Sequence, residues 1–275
     1  MKIGIFDNTF KRPTLDATLD AVSAAGLECA QLHMNTLGMD PMPDAVSDAV
    51  CAQIRAAFAA RNMDLSCLSG TFNMIHPDAA VRADGLRQLG VLATAAPQMG
   101  AKFISLCTGT RNRDSMWRPH PDNNSPAAWA DLLAAAEQAV AHAQANDVTL
   151  VVEPEVANVV DSAIKARRLL DEIQSPHLKI VIDGANIFHK GELAHMHDVL
   201  DAAFDLLGDD IVMAHAKDLD HDGEAGKLAA GTGLLDFDHY IGLLRGIGFN
   251  GVILLHGLTE EQAPGCIQFL RGKLM

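Results

Sequence analysis

Four residues stand where they could do chemistry. Thr149-Leu150-Val151-Val152 runs into Glu153, Lys179-Ile180-Val181-Ile182 into Asp183, Ile211-Val212-Met213-Ala214 into His215, and Val252-Ile253-Leu254-Leu255 into His256. Short, mostly apolar runs of this kind have the length and composition of buried strands. Each therefore ends on a carboxylate or an imidazole. Two carboxylates and two imidazoles are a donor set for a divalent transition metal. For any one of the four, the plainer reading is a hydrogen-bonded structural residue. Taken together, four ionisable groups at buried strand ends cost several kcal/mol in desolvation unless a positive charge holds them.

Eight strand-then-helix units deliver these residues. The strands are read at Ile3–Phe6, Cys29–Leu32, Leu65–Leu68 and Phe103–Leu106, followed by the four runs above. Helices are expected from Thr14, over Asp44 to Arg61, after Pro77-Asp78 to about Met99, and from Ser125-Pro126 to about Asn146. Further helices are expected over Ser162 to Ile173, near Leu193 to Leu207, from Asp236 to Ile247, and after the Thr259/Gln262 capping box. Such alternation without a hairpin signal implies a parallel sheet, and eight units in one chain of this length predict an α/β fold, the (β/α)8 TIM barrel. An open doubly wound sheet is the alternative, but the first strand-to-helix turn, Asp7-Asn8-Thr9, lacks the GxGxxG fingerprint. No linker interrupts the pattern, so residues 1–275 are read as one domain. In a barrel all C-terminal strand ends open on one face, so Glu153, Asp183, His215 and His256 are expected to converge.

The chain has 275 residues, 49% of them hydrophobic, with a formal net charge of −14. That is enough apolar residue for a large core, and the wrong sign of charge for gripping a nucleic-acid backbone or an anionic membrane. The five cysteines are scattered without CxxC spacing, which reads as reduced core thiols of a cytoplasmic protein. No secretory core or spanning-length apolar run is seen.

Further candidates surround the four. Glu155 follows Glu153 by two and is, with it, a candidate base. Lys217 follows His215 by two, so along a strand it points the same way and could donate to a developing oxyanion; the alternative is a salt bridge to Asp218 or Glu155. The loop Thr108 to His120 gathers Arg111, Arg113, Trp117 and Arg118 in an acidic chain poor in aromatics. Guanidinium groups match carboxylate or phosphate, so the loop is expected to grip an anionic substrate; otherwise its arginines pair with the abundant acids. His33, after the second strand, and His76, after the third, are placed among residues lining the mouth.

These residues resemble the xylose-isomerase-like sugar phosphate isomerase/epimerase family, a group of TIM barrels that also includes AP endonucleases of the endonuclease-four type. The likeness spans the chain and is carried by Val152-Glu153-Pro154-Glu155, Ile182-Asp183-Gly184-Ala185-Asn186, His215-Ala216-Lys217-Asp218 and Gly231-Thr232-Gly233. It implies one divalent metal held by Glu153, Asp183 and His215, with Asn186 among the substrate contacts, and association into homo-oligomers as is common in relatives. The departure is His256, where the family carries a Glu. Two imidazoles favour Mn, Co, Fe, Ni or Zn over Mg. Loss of that Glu puts a two-base epimerisation in doubt, because in the family's epimerases both glutamates work as acid and base.

The expected function is a metal-dependent isomerase or epimerase of a small anionic sugar or sugar acid, acting through an enediolate-type intermediate. A metal-dependent lyase or decarboxylase of a keto sugar acid is the runner-up, favoured by His256 and the arginine loop. An AP-endonuclease-like hydrolase is remote: it needs further His and Asp ligands, whereas the fourth strand ends on Cys107-Thr108 and Asn186 replaces a His.

Overall fold

The computed structural model describes residues 1–275. Its eight strands are β1 Lys2–Phe6, β2 Cys29–Leu32, β3 Asp64–Ser69, β4 Phe103–Cys107, β5 Thr149–Glu153, β6 Leu178–Asp183, β7 Ile211–Ala216 and β8 Val252–Leu255. All pairings are parallel, and β8 closes on β1 to complete the barrel. The helices between them are α1 Leu15–Ala24, α2 Asp48–Ala59, α3 Ala79–Met99, α4 Pro126–Ala145, α5 Ala163–Ile173, α6 Met196–Leu207, α7 Phe237–Gly246 and α8 Ala263–Leu274. The expected TIM barrel is what the chain forms.

Local chemistry sets the helix starts. Thr14, Ser47, Asp78, Ser125, Ser162 and Asp236 each accept a backbone N–H of the first turn, satisfying donors the helix itself cannot. Some boundaries differ from expectation: α2 runs from Asp48 to Ala59 rather than from Asp44 to Arg61, capped by Ser47, while the Asp44 side chain pairs with Arg87 and Gln88 on α3. Likewise Leu193–His195 forms a separate 3-10 turn before α6.

Two apolar layers hold the barrel. One continuous cluster of 72 buried residues fills the space between strands and helices. Inside the barrel, a smaller cluster of Cys67, Val151, Val181, Met213 and Leu254 plugs the interior. Side chains on a strand return to the same face every second residue. Two positions beyond Val151, Val181, Met213 and Leu254 stand Glu153, Asp183, His215 and His256. The polar site is therefore the next layer up, resting on a dry floor. No helix is long and apolar enough to cross a membrane.

Candidate active site

Glu153, Asp183, His215 and His256 do converge. One ligand atom from each lies within 4.8 Å of all the others, at the C-terminal mouth of the barrel. Register supplies part of this: Asp183 pairs with His215 across β6 and β7. Asp183 is fully buried, and its Oδ2 lies 2.9 Å from His256 Nε2 and 3.4 Å from Lys217 Nζ. Glu153 accepts a 2.6 Å hydrogen bond from the Asn186 side-chain amide and sits 3.5 Å from His215 Nδ1. Phe6 walls one side, stacked on His256 with ring centroids 4.7 Å apart and edge-on to His215 at 5.3 Å.

Electrostatics keeps the carboxylates ionised. Burial works to raise Asp183, but Lys217, with His256 and His215, outweighs it and holds the carboxyl well below the usual range. Glu153 is likewise lowered: burial and Asp183 oppose ionisation, and His215 and Lys217 overcome them. Burial, with the neighbouring His215, lowers His256 to about 4, so that ring is neutral near pH 7 with a lone pair to give. Glu155 differs. Burial and the charge of Glu153 push it up to about 7, against hydrogen bonds from the Ala157 N–H and the Asn158 amide.

The residues fit a divalent cation. Both ring nitrogens of His215 are buried without a hydrogen-bond partner. A buried imidazole left unpaired on both sides is costly, and an ion among these four groups would engage it. The N2O2 donor set suits a borderline transition metal better than Mg.

Above this centre opens a cavity of about 500 Å3, lined by Gln31, His33, Ser69, Thr71, Ser105 and Trp117 together with Glu153, Glu155, Asn186 and Lys217. A sequence-derived model of the xylose isomerase-like TIM barrel matches residues 19–271. The chain belongs to that family. No curated protein matches its sequence. Solved structures with the same fold include the 3-keto-D-glucoside 4-epimerase of E. coli, 16% identical over 99% of both chains, with a TM-score of 0.76. A D-psicose 3-epimerase structure is 18% identical over 100% of this chain and 99% of the other, TM-score 0.71. The probable 3-DHS dehydratase of Bacillus anthracis is 13% identical over 98% and 99%, TM-score 0.75. Sugar epimerases and a dehydratase thus share this xylose isomerase-like barrel.

The structure places the remaining sequence candidates unevenly. Lys217, His33, Asn186 and Trp117 line the mouth. Lys217 faces Asp183 rather than Asp218 or Glu155; the Asp218 carboxylate instead accepts backbone N–H groups of Leu219, Gly231, Gly233 and Leu235, shaping the loop after β7. The arginine loop is a correction. Arg111 bonds Asp131 at 2.6 Å and the Ile75 carbonyl at 3.0 Å. With Arg113 it lines a separate, open pocket that excludes the four-residue centre. Arg118 is exposed and lines neither pocket. His76 is also corrected: its ring bonds the Arg113 carbonyl and the Asp78 N–H, bracing two loops rather than facing the mouth.

Sequence reasoning passed over Asp7, Gln31 and Tyr240. Asp7 sits fully buried at the end of β1, its Oδ1 against the His33 ring. Gln31 carries a buried side-chain oxygen without a partner and lines the cavity. The Tyr240 hydroxyl, reaching in from α7, lies 3.0 Å from the Ile182 carbonyl and 3.1 Å from that of His215, tying the ends of β6 and β7 together beneath the site. A polar residue two positions before a candidate, as Gln31 is to His33, was the available signal.

Proposed function

We propose that the chain is a metal-dependent isomerase or epimerase of a small polyhydroxylated carbonyl compound, a sugar or sugar acid. The observation that carries this is the buried Glu153, Asp183, His215 and His256 cluster opening onto a cavity into which several polar side chains project. A divalent cation bound there would supply Lewis-acid stabilisation of negative charge developing on a carbonyl oxygen.

The chain's own residues account for the rest. Glu153 has one oxygen facing the His215 ring and Asn186, while Oε2 has only the Cys107 thiol, at 3.8 Å. That second oxygen is the base that removes a proton from the carbon beside the carbonyl. Glu155 has both oxygens engaged by its own turn and holds the β5–α5 connection in place. Lys217 brings an ammonium to the side of Asp183 and donates to the enolate oxygen as charge forms. Asn186, Gln31, Ser69, Thr71 and Ser105 surround the cavity with donors and acceptors suited to hydroxyl groups.

Lys217 is the single lysine or arginine lining this cavity. That favours an uncharged sugar or a lone carboxylate over a phosphate, which usually takes more than one cation. A lyase acting on a keto sugar acid is the second reading, supported by His256 in place of a second carboxylate.

The test is to load the protein with Mn2+ and incubate it in D2O with 2-ketohexoses and 2-ketopentoses, following the C–H beside the carbonyl by NMR. Deuterium entering that position, abolished by chelator, is expected. Release of CO2 or water from keto acids without such exchange in ketoses would decide for the lyase.

A further inference from the structure

His256 leaves the eighth strand without a carboxylate, and a second proton-transfer group is found elsewhere. Asp7, at the end of β1, is completely buried; its Oδ1 lies 2.7 Å from His33 Nδ1 and accepts the His33 backbone N–H at 3.2 Å. The other oxygen, Oδ2, is buried without any partner. A carboxylate fixed on one ring nitrogen selects the tautomer and orients the other nitrogen. His33 Nε2 has no protein partner, and the side chain lines the same cavity as Glu153. Phe6 holds the ring in place from the β1 side, with centroids 5.0 Å apart.

Topology sets the direction of approach. In the closed order of eight strands, β1 stands opposite β5, and β2 and β8 flank β1, each three strands from β5. His33 therefore approaches a substrate from the half of the rim opposite Glu153, a position equivalent by symmetry to that of His256 on the other flank. His256 Nε2 is taken up with Asp183, whereas His33, held by Asp7 through Nδ1, keeps Nε2 without a protein partner.

We propose that His33, oriented by Asp7, is the second acid–base group of this site, and that the reaction it serves is inversion at the carbon beside the carbonyl. The assignment rests on the isomerase or epimerase reading above. Glu153 removes the proton from one face; the C–H electron pair becomes the C=C bond and the carbonyl pair moves onto oxygen. When the carbonyl re-forms, the same carbon takes a proton from Nε2 of protonated His33 on the other face. Glu153 is left protonated and His33 neutral, and exchange with water restores both. Asp7 is a positioning residue: it touches His33, not the substrate.

The experiment compares the Mn2+-loaded parent protein with His33→Gln and Asp7→Asn in D2O, on a panel of 2-ketohexoses and 2-ketopentoses beginning with D-fructose. Deuterium exchange at the carbon beside the carbonyl and formation of its epimer are read separately. Melting temperature and bound metal are recorded for each variant. The parent is expected to exchange and invert. His33→Gln is expected to keep exchange within a few-fold while inversion falls about 100-fold or more, the range of a lost general acid. Asp7→Asn is expected to show the same split in milder form, because His33 remains but loses its tautomer partner. A His33→Gln protein that inverts normally, or that loses exchange and inversion equally while folded and metal-loaded, overturns the assignment. Parent protein that neither exchanges nor inverts any ketose overturns the isomerase reading, and the role of His33 with it.

Discussion

His256 Nε2 and Lys217 Nζ both face a single oxygen, Oδ2 of Asp183, at 2.9 and 3.4 Å. A candidate ligand and the cavity's one lysine are thus tied to the same buried carboxylate, so that a cation held by Asp183 and His256 would be felt at Lys217.

Lys217→Met removes the ammonium and nearly preserves volume. If Lys217 donates to the developing oxyanion, kcat falls about 100- to 1000-fold with KM changed much less. Steady-state kinetics on a ketose that the parent turns over, with metal content measured alongside, gives the answer. A rise in KM alone would make Lys217 a ground-state contact.

His256→Glu replaces a ring nitrogen by oxygen. The donor set becomes harder, and preference is expected to move from Zn, Co or Ni toward Mn and Mg. Thermal-shift titrations of the apo variant and apo parent with each ion report it. An unchanged order of affinities would place His256 outside the coordination sphere.

Arg111 braces a frame. It joins Asp131 on α4 to the loop after β3, with Arg82 on the same carboxylate at 3.3 Å; beside it Asn73 bonds the Thr110 backbone, and Asn123 accepts from the Thr110 hydroxyl and donates to the Ala157 carbonyl. Arg111→Ala is expected to lower stability by about 1–3 kcal/mol, because it strands partly buried acceptors, and to leave KM within a few-fold. Calorimetry and kinetics separate the two; a large rise in KM at unchanged melting temperature would restore the anion-grip reading.

At the other end of the barrel, Asp210 lies between Lys179 and Arg167. Burial works to raise this carboxyl, but the two cations outweigh it and lower it. A carboxyl lowered in the folded state adds stability that is fully present above its unfolded value and lost as pH falls through the folded one. Asp210→Asn should therefore cost most near neutrality, and the gap in melting temperature should close as pH is taken from about 5 toward 2. A gap that is constant across that range would contradict the ion-pair reading.

Much of this is legible in the sequence. The two-residue strand period links Val151 to Glu153 and Val181 to Asp183, and with eight alternating units it fixes both the barrel and the convergence of the four candidate ligands. The arginine loop misled because its partners are remote: Asp131 lies a turn into α4 and the Ile75 carbonyl belongs to another loop, and neither pairing leaves a local signal. Asp7 was hidden for the opposite reason. An Asp leaving a strand reads as an ordinary turn residue, and only burial against His33 distinguishes it. The start of α2 was ambiguous because Asp44 and Ser47 are both good caps; Ser47 takes the role, and Asp44 pairs with Arg87 on α3.

The most direct test of the metal centre is elemental analysis of the purified parent, Glu153→Gln and His256→Ala proteins, each paired with a melting curve with and without chelator. About one equivalent of a divalent transition metal per parent chain is expected, with a chelator-sensitive melting temperature, and both variants should lose most of that metal and its stabilisation. Parent and variants carrying the same metal complement, or melting identically with and without chelator, would contradict it.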